Sequence, residues 1–557
     1  MDKSEDQAGM TDHSSAPGEC YPLSIVPGLS RLYLDYAAAD HALSPFYSAS
    51  PCGDRWGAAA AVPAVPHQSA LADLLSAQNH AAHSGPAALS NIEKLRTGAR
   101  AIVTGQQVSL FGGPLYTLHK AATAIRLAQQ ASASTGIPHV PIFWLATEDH
   151  DFAEADHVIL PGRHTLQTIR LTHEHAAGHS PVGSLKLGPT VEQALEQASE
   201  LLGGSAEFTL LARCYRPEAT FASAFAQWLS ATFREQGLIV LDASGRTCHA
   251  LAGEVLRAAI LRSEELEQAL LARGQELAAR GYHAQVLVSP GSSLLFLIEP
   301  SERTGEGPHT RTALKRQSKD AWTTSRATYS TADLLSILDQ SPERLSPNAL
   351  LRPVFQDALL PTAAYVGGPA EIAYFAQTAV LYERLLGRVT PVLPRLSATL
   401  IDPPTAALLR HFELSLPDVF AAQPTELAQR MGARAMPIEG KRTLALAGNA
   451  LDKELEAVTA WMHTLDENLG RSATIAASKM RYQMNRLRRL AANYQLQQDA
   501  GIARKIAALY HALYPGQHLQ ERTVGAASAM ARYGDRLPAL LVDAAAQPCP
   551  GHKALYL

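Results

Sequence analysis

Long hydrophobic runs are missing from this chain: charged residues or prolines interrupt every apolar stretch before it reaches 18 residues. A membrane-spanning helix of ordinary length is thereby excluded. Cysteine is scarce, and the five present, Cys20, Cys52, Cys214, Cys248 and Cys549, are odd in number and scattered, with no CxxC pair. Neither a disulfide framework nor a zinc knuckle follows from them. An excess of charge of one sign is also lacking. The 48 Lys+Arg stand against 52 Asp+Glu, a net charge of -4, which is not the basic footprint of a nucleic-acid binder. Residues 1–20 contain no apolar segment that would serve as a signal-peptide core. Polar and acidic, they are expected to form a disordered tail on a cytoplasmic protein.

What the chain does have is length and an α/β rhythm. Its 557 residues are 46% hydrophobic, enough for two to four units at roughly 100–200 residues per domain. From Ala99 the run ARAIVTG reads as a strand ending at Gly105. After QQVSLFGG, Pro114 opens a helix whose apolar residues Leu115, Leu118, Ala122, Ile125 and Leu127 recur at helical spacing. His139 to Ala146 supplies a second buried strand, completing a βαβ unit expected to be parallel and right-handed. An amphipathic helix from Phe221 leads into a third strand, GLIVLD. The spans between strands place one insertion at about 152–220 and another at about 243–347, the second with a hairpin turning at Pro290-Gly291. The core, residues 21–402, resumes at Leu351 and contains a helix from Ala370 to Leu386. Residues 403–557 read as helical. Leu451, Leu455, Val458, Met462, Leu465 and Leu469 are spaced 4, 3, 4, 3, 4, a coiled-coil seam. The helices pair within the chain or across a dimer, with a turn at Gly470 or at Asp499-Gly501.

In an open α/β sheet, ligands bind beyond the carboxyl ends of the strands. After the first strand come Gly105, Gln106, Gln107, Gly112, Gly113 and Pro114, where glycines permit close backbone approach and a helix N-terminus can hold an anion. Gly367, Gly368 and Pro369 repeat the pattern before a helix that begins with Glu371. Tight turns are the plain alternative. After the second strand, Glu148, Asp149, His150 and Asp151 stand in succession. Three carboxylates and an imidazole so close repel one another unless a cation, amine or proton is bound. They are the candidate catalytic group. Capping of the next helix by Asp149 or Asp151 is the structural alternative, and a metal site of Asp149, His150 and His157 has no diagnostic spacing. Lys120, Arg352 and Arg395 are candidates for phosphate or carboxylate contacts, and Gln356 and Asn348 for substrate positioning, unless Asn348 is a turn residue.

TGQQVSLFGGPLYTLHKA, PIFWLATEDHDFAEADHV, LSPNALLRPVFQDALLPTAAYVGGPAEIAYFAQ, PRLSATL, LQER and the terminal HKALYL, in this order, resemble the BshC family of bacillithiol biosynthesis from about residue 30 onward. The resemblance implies a Rossmann-like parallel-sheet core akin to class I aminoacyl-tRNA synthetases, two connecting-peptide insertions, and a C-terminal coiled-coil domain that makes a homodimer. It implies a ligase joining cysteine to glucosaminyl-malate in the last step of the pathway. An adenine nucleotide (ATP or ADP) is implied as well, in a pocket apart from the usual crevice, and Tyr365 and Ser397 join the candidates for substrate or nucleotide binding. Two synthetase signatures are absent: Gly112 to Leu115 stands where HIGH would, and Lys479-Met480 falls inside the seam, not in a KMSKS loop. A synthetase-like nucleotidyltransferase acting on another small amine, and a non-catalytic coiled-coil assembly protein, are the rival readings.

Overall fold

The computed structural model describes residues 18–52, 62, 65–172, 179–300, 309–546 and 550–557. Residues 1–17 of the expected tail, and Cys549, lie outside them. The chain forms two units, one running through Thr399 and joined by Gln520–Leu555, the other comprising Leu400–Leu519 with Tyr556–Leu557.

At the centre of the first unit are five strands: β1 (Arg100–Gln106), β2 (His139–Leu145), β3 (Ile239–Asp242), β4 (Thr362–Gly367) and β5 (Val392–Pro394). They pair in the order β5-β4-β1-β2-β3, all parallel. β2 and β4 are buried along their whole length, as expected where helices cover both faces of a parallel sheet. Helix α1 (Tyr116–Thr135) packs small residues, Ala124, Ala128 and Ala131, against Ile102, Ala363, Ala364 and Val366, so helix and sheet approach closely. Successive strands step outward from β1 on one side, then restart at β4 on the other. The switch point, where such sheets bind ligands, therefore falls between the ends of β1 and β4.

The first insertion contains an antiparallel pair, His157–Pro161 with Leu166–Arg170, and two helices. The second folds into helices and a five-stranded antiparallel sheet. The expected hairpin at Pro290-Gly291 does not form. Ser292–Glu299 pairs instead with Thr310–Ser318 and Leu345–Pro347. The reason lies in a side chain: the Gln377 amide accepts from the Val286 N–H at 2.9 Å and donates to its carbonyl at 2.8 Å, occupying the groups that strand pairing would need.

Two domain boundaries differ from expectation. Gly18–Tyr21 is a strand rather than tail, because it pairs antiparallel with the C-terminal segment, Gly18 opposite Leu555 through Tyr21 opposite His552. By the same contacts Gln520–Leu555 belongs with the first unit, not with a helical domain extending to residue 557.

The second unit is helical. Its long antiparallel pair, Ile438–Leu465 and Glu467–Gln498, turns at Asp466, whose carboxylate accepts from the N–H groups of Asn468 and Leu469. The turn precedes Gly470, and Asp499 caps the next helix by accepting from Gly501. Leu469 thus lies on a different helix from the rest of the seam. Within the two helices the buried positions are Gly448, Gly470, Ala477 and Ala492; of the seam, Leu451, Leu455 and Met462 are half-buried, while Val458, Leu465 and Leu469 are 46%, 56% and 41% exposed. The seam is therefore only half covered: the glycines at 448 and 470 make room for Arg488 and His463, and Val458, Leu465 and Leu469 stay exposed.

Candidate active site

Two adjoining cavities, of about 290 and 380 Å³, open at the strand ends and share Trp144, Ala146, Asp149 and Arg352 in their walls. The smaller sits at the switch point. Gly105, Gln106 and Gln107 from the end of β1, Gly368 after β4, and Tyr365, Glu371, Gln356, Lys120 and Arg395 all line it. Lys120 Nζ lies 2.5 Å from Glu371 and donates to Gly105 O at 2.7 Å and Gln106 Oε1 at 3.0 Å. Glu371 also accepts from the Tyr365 hydroxyl at 2.6 Å and the Gly368 N–H at 2.8 Å. Burial alone would raise the Glu371 carboxyl, but Lys120 and these donors hold it below the ordinary range. Burial lowers the Lys120 ammonium, against the pull of Glu371. Arg395, in the same wall, pairs with buried Glu521 at 2.6 Å. Arg352 and Arg522 also line it, and among the described residues neither has a carboxylate within 4.0 Å.

The larger cavity holds part of the acidic run. Glu148 contacts His249 Nε2 at 2.8 Å and accepts from the Ser346 hydroxyl at 2.9 Å. Burial would lower the His249 imidazole, yet Glu148 outweighs it and keeps its pKa above the ordinary value. Burial would likewise raise the Glu148 carboxyl, which His249 holds down. His150 lines neither cavity; its Nδ1 accepts from Arg311 at 3.0 Å, and burial with Arg311 lowers its pKa. Its proton is therefore on Nε2, and no lone pair is free to take another. Asp151 is exposed and lines neither cavity, so it is not part of the site. Its side chain makes no cap; Asp149 instead accepts from the Asp151 N–H at 3.2 Å. Asp149 alone of the four lies in both walls. His157 turns to Asp156 at 2.9 Å, away from any set with Asp149 and His150.

Several other expected residues stand elsewhere. Gly112, Gly113 and Pro114 are a buried turn, not a ligand loop. Gly112, at φ +82, has the Trp228 ring where a Cβ would be, at 2.3 Å, and its N–H donates to the Tyr215 hydroxyl. The N–H groups of the turn are taken up within the fold: Gly113 N–H donates to Leu110 O and Leu115 N–H to Val524 O, leaving none of them for an anion. Gly367 packs against Glu371 and lines neither cavity. Ser397 bonds His552 Nδ1 at 2.8 Å, outside both. Asn348 lines the larger cavity, but its side chain accepts from the N–H groups of Leu350 and Leu351, the work of a turn residue. No sequence signal pointed to His249 or Arg311, and Arg522 entered only as the last residue of the LQER segment, with no role assigned to it. Helical spacing would have found two missed lining residues: Tyr374, three residues after Glu371, and Tyr116, four before Lys120.

Known proteins bear on this geometry. The pattern described as "Bacillithiol biosynthesis BshC, N-terminal Rossmann-like domain" matches residues 19–396, and "Bacillithiol biosynthesis BshC, C-terminal coiled-coil domain" matches 398–557. A Koribacter versatilis protein named "Putative cysteine ligase BshC" is 41% identical over 96% of this chain and 99% of its own length. Proteins of the same name from Solibacter usitatus and Salinibacter ruber are 34% and 32% identical, over 97% and 94% of this chain and 99% and 95% of their own. A Rossmann-like parallel sheet, a helical C-terminal pair and matches along nearly the whole length agree, and the chain belongs to the BshC family of bacillithiol biosynthesis.

Proposed function

We propose that this protein is a ligase that forms an amide bond between the carboxyl group of cysteine and the amine of glucosaminyl-malate, as the last step of bacillithiol synthesis in the cytoplasm. The observation that carries this reading is the position of Asp149 in the wall common to two cavities of different character. The smaller cavity has Arg352 and Arg522 for the malate carboxylates, with Asp149 and Glu154 for an amine. The larger has an apolar wall of Trp144, Leu295 and Phe296 for a small thiol-bearing acid. In that arrangement the amine nitrogen attacks the activated carboxyl carbon near Asp149, which takes the proton released on C–N bond formation. Glu148 and His150 do not compete for this role, one being held by His249 and Ser346, the other by Arg311.

Activation requires a further group, and the residues fit the phosphates of an adenine nucleotide: Arg311 and Lys315 in the wall of the larger cavity offer charged donors. When bound, ATP supplies the leaving group that a free carboxylate lacks. The two insertions after β2 and β3 support the likeness to class I synthetases. The exposed stripe on the helical pair supports a homodimer. Incubation with cysteine, glucosaminyl-malate and ATP, followed by mass spectrometry, should give the amide product. Its absence with folded protein would refute the reading.

A further inference from the structure

A connected set of buried groups runs from His249, which lines neither cavity, to Arg311, which lines the larger one. His249 Nε2 is 2.8 Å from Glu148. The Ser346 hydroxyl donates to Glu148 at 2.9 Å and accepts from Arg311 Nε at 3.0 Å. Arg311 further donates from Nη2 to Pro347 O at 2.9 Å and from Nη1 to His150 Nδ1 at 3.0 Å. Its guanidinium carbon lies 3.8 Å from the centre of the Phe296 ring. A guanidinium carries five N–H groups, and these contacts use three, so one on each terminal nitrogen is left. Every rotatable bond of this side chain is thereby fixed, although Arg311 is 92% buried and has no carboxylate within 4.0 Å among the described residues. A buried cation without a paired anion is costly, and a fork of two free N–H groups is the geometry that receives a bidentate oxyanion.

We infer that Arg311 is an oxyanion contact of the larger cavity and that His249 and His150 are its positioning residues, His249 acting through Glu148 and Ser346. His249 orients the carboxylate, the carboxylate fixes the direction of the serine hydroxyl, and the hydroxyl oxygen then faces Arg311 Nε. His150 closes the opposite side. The oxyanion is a carboxylate or a phosphoryl group; the ligase reading bears only on which, through cysteine or ATP.

The test reads the arginine directly. In full-length protein labelled with ¹⁵N-arginine, the Arg311 Nε–H resonance, assigned by its loss in Arg311→Lys, should be sharp and resistant to exchange. In His249→Gln and in Ser346→Ala it should broaden or shift while the other arginine resonances stay in place. An unchanged resonance in both folded variants overturns the positioning role, and Ser346→Ala decides alone if His249→Gln fails to fold. Titration of the wild type with L-cysteine and, separately, with ATP should move this resonance in one arm, identifying the oxyanion. Arg311→Lys should weaken that ligand roughly tenfold or more. No movement in either arm overturns the contact. None of these readouts needs turnover, so a failed ligase assay and a failed relay are separate results.

Discussion

Asp149 is left free to take a proton because its neighbours are already engaged. With Glu148 and His150 engaged, Asp149→Asn should lower kcat at least a hundredfold in the amide-forming assay, within the range for loss of a general base. Its melting temperature should stay within a few degrees, since no buried partner is lost; equal kcat in both proteins would remove the proton-accepting role. His552 makes a different, pH-linked prediction. It is fully buried, bonded by Ser397 and Thr399, and burial lowers its pKa to about 4 from the ordinary 6.5. The unfolded chain therefore takes up the proton first as pH falls below 6.5. Stability from this residue is whole above 6.5, declines down to about 4 and is level below. The loss is roughly 3 kcal/mol, at 1.36 kcal/mol per unit. Melting curves between these limits should fall less steeply for His552→Gln than for the wild type.

Among the elements, the two Gly-Gly-Pro turns look alike in sequence and have opposite roles. At Gly112 a methyl group would enter the Trp228 ring from a left-handed backbone. Gly112→Ala should cost about 3 kcal/mol or more in urea denaturation, overpacking and strain acting together. Gly368 has φ -80, and its nearest side-chain atoms would stand 3.4 and 3.5 Å from a new Cβ. Gly368→Ala should cost under about 1 kcal/mol. Equal losses would mean that the turns share one role. The returning C-terminal segment is a second case. Glu521 binds Arg395, His119 and the Ala398 N–H, all buried, so Glu521→Ala should destabilise by about 3–5 kcal/mol by leaving Arg395 unpaired.

For the whole molecule, the exposed stripe governs assembly. Val458 and Leu465 are exposed in the single chain, so changing both to Glu should barely alter its melting. If a second copy covers them, light scattering should show a wild-type dimer and a folded monomeric variant. A dimer that survives both substitutions would place the interface elsewhere.

Local sequence determined the strands β1 to β4 and the helices beside them, because a fully covered parallel strand must be an unbroken apolar run and a covered helix must repeat its apolar face. It also marked Asp149, Lys120, Gly368 and Glu371, since strand ends of such a sheet face a crevice. Only the tertiary structure separated Asp149 from Asp151, opened one glycine turn and buried the other, and brought His249 and Arg311 to Glu148 from 101 and 163 positions away. It alone returned Glu521 and Arg522 to the first unit. Local pattern records which face of an element is covered; which distant side chain covers it, and whether a polar group is thereby paired or left free, is decided by the packing of segments that sequence spacing does not relate.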